Sequence, residues 1–221
     1  MFSSKRKNNL IYCLIPGVSN PYPQVDIFFK NPEGSLTNGL FPTGNRIDII
    51  NETEVTCIDA AVPMIIISQK TLNISRYDSK NKLSKLKLIL SKIEDIRVKA
   101  GLMMKIKDNQ GKLMSYKDIK ESITVPKVAI VDGGNGAYDI SAIYLTPKEI
   151  HNSIAVSGGC CLAYACSVSN TIASRLFKGN EVRIKHFEGI SQFGCIKNKD
   201  ATEVYTKRNA QIYMKGEFYI Y

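Results

Sequence analysis

The chain has 221 residues and a mass of 24.6 kDa, which is enough for a hydrophobic core that needs no disulfides or metal. Hydrophobic residues make up 44% and charged residues 23%, an ordinary balance that excludes a disordered chain. The net charge is +10, but the 30 Lys and Arg residues are spread along the sequence without an aromatic-basic platform or a recognition helix. We therefore expect a folded protein that favours anionic ligands, with no nucleic-acid partner.

Cysteine usage and hydropathy exclude further classes. Six cysteines occur without any Cys-x-x-Cys pair and there are only two histidines, so neither a disulfide framework nor a metal site is predicted. The longest apolar run, residues 62–67, is short and contains Pro63, so no transmembrane segment or membrane partner is predicted. Basic residues 5–7 precede a short apolar stretch that has no small-residue cleavage site, and we expect a cytoplasmic protein.

The first third of the chain is predicted to be rich in strands, and a helix follows it. Residues 23–30 form a predicted strand that is closed by the turn Asn31-Pro32-Glu33-Gly34-Ser35. The helical spacing of apolar residues predicts an amphipathic surface helix over residues 82–104, with its charges facing solvent. The polar stretch 107–125 predicts no element, and a glycine-rich turn is predicted at 133–136. Short β-branched or apolar stretches predict further strands at 47–50, 55–58, 63–68 and 127–132.

The second half predicts a helix enclosed by strands. Small and apolar residues alternate over 158–171, a composition typical of a helix buried on all sides. Strands are predicted at 181–186, 191–196, 203–206 and 217–221. The elements together predict an α+β fold in which a mixed β-sheet is wrapped around a central α-helix.

The start of the predicted central helix is the first candidate site. The stretch Ser157-Gly158-Gly159 stands where unpaired N–H groups and the helix dipole favour a carboxylate or phosphate. In a purely structural interpretation, Ser157 caps the helix and the glycines only allow close packing, and both interpretations can hold together. Cys160 and Cys161 are candidates for an acid or base, or they are buried small hydrophobes.

Two other candidates have the same ambiguity. The turn that contains Thr43, Gly44 and Asn45 could hold a polar group of a ligand, or it is only a turn. His151 precedes Ser157 by six residues and is either a donor in the same pocket or a structural histidine. No Ser-His-Asp order, dinucleotide fingerprint, Walker loop or HExxH motif occurs, so hydrolase, hydride-transfer and phosphoryl-transfer functions lack their required parts.

Several motifs taken in order resemble the PrpF family, which includes methylaconitate isomerase, methylitaconate Δ-isomerase and oxalomesaconate tautomerase relatives. The closing segments Arg208-Asn209-Ala210 and Met214-Lys215-Gly216-Glu217 resemble the family's final signature, with Asn209 and Gln211 as departures from it. The other matching stretches are Ile15-Pro16-Gly17-Val18, Asn31-Pro32-Glu33-Gly34-Ser35, Phe41-Pro42-Thr43-Gly44-Asn45 with Asp48, Ile58-Asp59-Ala60-Ala61-Val62-Pro63, and His151 with residues 157–165.

The resemblance implies a diaminopimelate-epimerase-like fold of two similar α+β domains, each with a central helix whose N-terminus points at a tricarboxylate. It implies a cofactor-free proton transfer that moves a carbon–carbon double bond in an acid of the aconitate, methylaconitate or methylitaconate class. The family's principal bases, a lysine and a cysteine in a Cys-Gly-Asn context, have no counterpart here. We therefore expect residues 1–20 to be a truncated crossover from a missing N-terminal domain, and residues 21–221 to be the C-terminal domain.

These expectations define the candidate site and its partners. The isolated chain is expected to be inactive, and the alternative function is a non-catalytic or degenerate carboxylate-binding fragment. The expected partners are a small unsaturated di- or tricarboxylate and either a separately encoded N-terminal half or a second copy of the chain. The base is unassigned apart from Cys160 and Cys161. The expected substrate-binding residues are Thr43, Gly44, Asn45, His151, Ser157, Gly158, Gly159 and Arg208.

Overall fold

The computed structural model of the chain describes residues 5–7, 10–73, 81–199, 201–217 and 219. The predicted strand 217–221 lies largely outside the described residues, and its described positions, 217 and 219, are not in a strand. The described elements are, in chain order, β1 (Lys5–Lys7), β2 (Leu10–Cys13), β3 (Tyr22–Lys30), β4 (Asp48–Ile50), β5 (Thr53–Asp59), β6 (Pro63–Ser68), α1 (Asn81–Met103), α2 (Tyr116–Glu121), β7 (Lys127–Gly133), β8 (Ile140–Thr146), β9 (Glu149–His151), α3 (Val156–Ser167), α4 (Ile172–Leu176), β10 (Glu181–His186), β11 (Gly189–Lys197) and β12 (Thr202–Asn209).

The described strands form one mixed sheet. Its order is β1-β2-β3-β12-β11-β10-β8-β7-β6-β5-β4, and β9 pairs with β8 outside this path. The pairs β6–β7 and β8–β10 are parallel, whereas the other pairs are antiparallel. A mixed sheet with few helices confirms the predicted α+β class.

Helix α3 is buried against this sheet. Nine of its 12 residues are buried, and it packs against β10, β11 and β12 and also against β5. A Cβ atom at Gly158 would come within 2.4 Å of the Tyr144 ring, and one at Gly159 within 2.1 Å of the Phe193 ring. Because glycine has no Cβ, the first turns of α3 lie directly on aromatic rings of β8 and β11.

Two predictions about helices need correction. The predicted helix 158–171 is two helices, because α3 ends at Ser167 and Asn170 has a φ of +67° in the turn that follows. Thr171 then caps α4, accepting a hydrogen bond from Ser174 N. Helix α2 was missed in a polar stretch, although Ser115 and Asp118 form a capping box at its start.

Helix α1 confirms the predicted helix, but its charges are not all in solvent. Arg97 is only 1% exposed and makes an ion pair with Glu94, with Nε 2.6 Å from Oε2. Its guanidinium also donates to Ile119 O at 2.9 Å and to Val125 O at 3.3 Å. Arg97 therefore joins α1 to the end of α2. It donates to two backbone carbonyls that would lose this hydrogen bond without it.

Two further properties concern the cysteines and the helices. All six cysteines are buried free thiols. None of the helices within the described ranges is both long and apolar enough to cross a membrane.

Candidate functional site

The first turn of α3 has unpaired backbone donors. The first bond along the helix runs from Gly159 N to Ala155 O at 2.9 Å. The N–H groups of Val156, Ser157 and Gly158 therefore have no acceptor in the part of the chain that the structure describes. Ala155, not Ser157, occupies the N-cap position and supplies no side-chain bond, so Ser157 lies inside the helix and does not cap it. The turn keeps three donors at the positive end of the helix dipole.

Arg208 is a half-buried cation near this turn. It lies on β12, and its guanidinium carbon is 5.8 Å from the centre of the Phe193 ring, on which Gly159 packs. Its guanidinium makes no hydrogen bond or ion pair with any residue in the described ranges. Burial lowers the pKa of Arg208, and the nearby thiols of Cys160 and Cys13 oppose that change. Because arginine stays protonated in proteins, this side chain is a permanent positive charge that rests on the Phe193 ring and has no carboxylate partner among the described residues.

The residue after Arg208 has a structural contact. Asn209 Nδ2 donates to Cys13 O at 2.9 Å, and Cys13 Sγ donates to Arg208 O at 3.3 Å. The two bonds join β2 to β12 on both sides of the peptide that follows Arg208. The side-chain amide of Asn209 is therefore used to hold the backbone.

The hydroxyl of Tyr144 is a second polar group beside the first turn. It lies 2.6 Å from the position of a Cβ atom at Gly158, is buried, and has no partner among the described residues. Burial raises its pKa, and Cys161 adds to the increase. Tyr144 therefore remains a neutral O–H donor at neutral pH.

His186 is a third polar group on the same face of the sheet. Its Nε2 atom lies 2.8 Å from Ser191 Oγ, whereas Nδ1 is buried without a partner among the described residues. Burial lowers its pKa to about 4, and Lys185, Arg208 and His151 add to the decrease. The imidazole is therefore neutral at pH 7.

Cys160 and Cys161 are both fully buried in α3. Burial raises the pKa of Cys160 to about 12, an increase that Arg208 opposes and Cys195 supports. Burial also raises the pKa of Cys161. Desolvation thus outweighs the helix dipole, and both groups are thiols at neutral pH. Their role in proton transfer stays a prediction, and this burial favours the alternative in which they are core residues.

His151 lies at the end of β9, close to the turn that leads into α3. Its Nδ1 atom accepts a hydrogen bond from Ser153 N at 3.1 Å, and its ring meets the Tyr144 ring edge-on at 6.0 Å. The ring is exposed. His151 is therefore placed beside the first turn of α3 through its contact with Tyr144.

The turn at Thr43 and Asn45 makes its side-chain hydrogen bonds to a single carboxylate. Thr43 Oγ1 donates to Asp48 at 2.7 Å and Asn45 Nδ2 donates to the same side chain at 2.9 Å. Gly44 between them has a φ of +82°, which favours glycine. These contacts support the structural interpretation of the turn.

The same turn is linked to the far end of α3. Thr56 Oγ1 donates to Arg46 O at 2.8 Å and accepts from Ile172 N at 3.0 Å. Ile172 begins α4, after the C-terminal end of α3, and a helix of this length spans about 18 Å. Within the described residues, no hydrogen bond or ion pair joins Thr43, Gly44 or Asn45 to the first turn of α3.

The groups that do converge on the first turn come from separate strands. Arg208, Tyr144 and His186 lie on β12, β8 and β10, and only the pairing of these strands in one sheet brings them to one end of α3. The sequence motifs did not point to Tyr144, and they left His186 with the same two interpretations as His151, a donor or a structural histidine. The sequence signal for the inward orientation of His186 is its place two residues after Ile184 and four after Val182, because alternate residues of a strand share a face.

The structure thus shows an α+β domain in which the first turn of α3 has N–H groups without an acceptor among the described residues. The model of the family described as "PrpF protein" matches residues 12–221, and the chain belongs to this family. Family membership confirms the resemblance stated from the sequence motifs.

The chain is similar to proteins with isomerase names. The protein named "Putative isomerase YbhH" of Escherichia coli (strain K12) is 28% identical over 178 residues, which are 79% of this chain and 47% of YbhH. The (4E)-oxalomesaconate Delta-isomerase of Novosphingobium sp. (strain KA1) is 27% identical over 73% of this chain and 42% of its own length. The chain thus spans about half the length of the curated relatives it matches.

A solved structure supports the fold. The crystal structure of a methylitaconate-delta-isomerase superposes with a TM-score of 0.79, covering 96% of this chain and 60% of that protein, at 20% sequence identity. This likeness confirms the isomerase-family fold.

Proposed function

We propose that the chain forms the carboxylate-binding part of a PrpF-type isomerase that moves a carbon–carbon double bond in an unsaturated di- or tricarboxylate. The substrate class is that of aconitate, methylaconitate or methylitaconate. The observation that carries this proposal is the convergence of three unpaired N–H groups and the unpaired Arg208 guanidinium on the first turn of α3. The names of the similar proteins support the class of reaction.

The proposed architecture is diaminopimelate-epimerase-like, with the sheet wrapped around α3. The burial of α3 and its packing against both β5 and the β10–β12 strands support this description. Residues 21–221 would be the domain that carries the half-site, and residues 1–20 a crossover to a further domain. The bonds between Cys13 and the Arg208–Asn209 segment would fix that crossover next to the site.

In the proposed mechanism this chain holds a carboxylate and does not itself move the proton. One carboxylate oxygen would accept from the N–H groups of Ser157 and Gly158, and Arg208 would bind the other. When a proton leaves the adjacent carbon, negative charge spreads toward this carboxylate, and fixed donors in a partly buried site stabilise it. The chain supplies no assigned base, since Cys160 and Cys161 are buried thiols.

Binding of tricarballylate tests the proposed site. This saturated tricarboxylate cannot isomerise, so calorimetry on the full chain measures binding alone. We expect Arg208→Gln to weaken binding by about 10- to 100-fold, because a hydrogen bond between charged groups is worth about 1.5–3 kcal/mol. Lys207→Gln removes the same charge from the neighbouring exposed position and should change affinity less than about threefold. Equal losses in the two variants would show that only net charge attracts the ligand and would overturn the site.

Proton exchange on trans-aconitate in deuterated water distinguishes the two candidate functions. Exchange by the isolated chain would require a base within it. Binding without exchange, both alone and after a separately produced N-terminal half is added, supports the non-catalytic alternative, which the burial of Cys160 and Cys161 favours. Exchange that appears only when a separately produced N-terminal half is added supports a half-enzyme that needs its partner.

A further inference from the structure

His186 is a buried imidazole with one unused ring nitrogen. The residue is 1% exposed, its Nε2 atom is 2.8 Å from Ser191 Oγ, and its Nδ1 atom has no partner among the described residues. Buried polar atoms are paired in nearly all cases, so an unpaired nitrogen in a described, well-packed sheet calls for a functional explanation.

The imidazole shares a face of the sheet with the proposed carboxylate site. Val182, Ile184 and His186 are the buried positions of β10, on the side that packs against α3. Ser191, its hydrogen-bond partner, is a buried position of β11, two residues before the Phe193 ring that supports Gly159.

The charged and titratable groups around His186 are cations or imidazole. Lys185 precedes it on β10, and Arg208 on β12 and His151 on β9 lower its pKa electrostatically. In the described part of the chain no carboxylate is among its electrostatic neighbours. The positive charges disfavour a protonated ring, and an anion bound at Arg208 would offset them.

We propose that His186 takes up a proton when a carboxylate binds at the first turn of α3, and so acts as a positioning residue that couples binding to protonation. This inference rests on the proposed function. The proton comes from solvent and adds to the unpaired Nδ1 atom, while Nε2–H donates to Ser191 Oγ. No other bond forms or breaks. The imidazolium then holds a positive charge behind Arg208 in the bound state only.

The pKa of His186 in the unliganded chain agrees with this role. Burial and the neighbouring cations keep the pKa of His186 at about 4 without ligand, so the ring is neutral above pH 5. A bound dianion or trianion raises this pKa toward the range in which the ring protonates. By linkage, if carboxylate binding raises the proton affinity of His186 by a given factor, protonation of His186 raises the carboxylate affinity by the same factor.

Imidazole NMR of the ¹⁵N-labelled full chain tests the coupling directly. Only two histidines occur in the sequence, and a His151→Gln variant assigns their signals. Titration from pH 8 down to the limit of the folded state is done with and without saturating tricarballylate. We expect the apparent pKa of His186 to rise by at least about one unit, a tenfold change in proton affinity.

Calorimetry supplies a second measurement. Binding of tricarballylate near pH 5.5 is measured in two buffers with different ionisation enthalpies, which counts the protons taken up. The protons taken up by tricarballylate itself are the same for all three proteins. The unmodified chain and Lys207→Gln should therefore both take up more protons than His186→Gln, and by the same amount. If His186→Gln does not fold, the NMR titration of the unmodified chain decides.

The outcomes separate the two proposals. Tricarballylate binding that leaves the His186 titration unchanged overturns the coupling and leaves the proposed function standing. Failure of tricarballylate to bind under any condition overturns both.

Discussion

At the scale of single residues, the two glycines of α3 decide how closely the helix approaches the sheet. A Cβ atom at Gly159 would lie 2.1 Å from the Phe193 ring, a distance that real atoms do not adopt. We expect Gly159→Ala to lower the free energy of unfolding by about 1–3 kcal/mol, because overpacking exceeds the gain in helix propensity. Urea denaturation measures the change through the transition midpoint.

Two variants control this prediction. Ser157→Ala lies in the same turn but is half-buried and should stay within about 0.5 kcal/mol of the unmodified chain. Phe193→Leu makes room beside position 159, so Gly159→Ala should cost less in that background than alone. Equal costs in both backgrounds would contradict the steric explanation.

His186 predicts how stability depends on pH. Its folded pKa of about 4 lies below the ordinary value of 6.5, so the unfolded chain binds more protons between these values. Stability from this group is therefore complete above pH 6.5 and is lost as the pH falls toward 4, by up to about 3 kcal/mol. Unfolding measured across this window should show a shallower slope for His186→Gln. If the variant shows the same slope of stability against pH, a group other than His186 is responsible for the pH dependence.

At the scale of elements, the buried Arg97 holds α1 against α2. Arg97→Ala removes the donor for Ile119 O and Val125 O and leaves a cavity. We expect a loss of about 2–4 kcal/mol in the free energy of unfolding, because buried carbonyls lose their partner and packing is lost. Lys92→Ala, at an exposed position of the same helix, should change it by less than about 0.5 kcal/mol. Comparable losses in both variants would contradict the anchoring role of Arg97, because alanine has a higher helix propensity than arginine or lysine and propensity explains neither loss.

At the scale of the whole molecule, β2 and β3 leave large apolar side chains in solvent. Leu10 is 50% exposed and Ile11 43%, and Leu14, Val25 and Phe28 are exposed to a similar degree. Clustered exposed apolar groups favour association, which suits either partner expected from the sequence, a second copy or a separate N-terminal half.

Self-association tests the first of these partners. We expect sedimentation velocity to show a species larger than 24.6 kDa that grows with concentration, and a Leu10→Lys, Ile11→Lys variant to reduce it. The matched control places two lysines at Ile49 and Ile123, which are 74% and 73% exposed outside β2 and β3. A chain that stays monomeric at every concentration would contradict the homodimer.

The sequence predicted the fold class and failed at particular boundaries. β-branched runs and flanking turn residues located β3 through β7 and β10 through β12, because both are local features of the sequence. Strand β8 was missed, although six of its seven residues are buried; it is a continuous apolar run like β6 and β7, and a side-chain period of two marks none of these three strands. The end of α3 was misplaced because apolar composition continues past the turn at Asn170, where the backbone changes direction.

The candidate site divides in the same way. Local motifs alone indicated the helix terminus at Ser157 to Gly159 and the cation at Arg208, and tertiary structure joined them through Phe193. The truncation at residues 1–20 and the cytoplasmic location stay predictions.

By itself the sequence determined the family and the α+β class, and it predicted the first turn of α3 as a place for an anion, because motifs, periodicity and helix starts are local properties. Only the tertiary structure decided that Thr43 and Asn45 bond to Asp48, that Cys160 and Cys161 are buried thiols, and that Tyr144 and His186 have unpaired atoms. The physical reason is that burial and partners depend on strands far apart in the chain. A residue's type fixes what it can donate or accept, and its neighbours in the sheet fix whether it does.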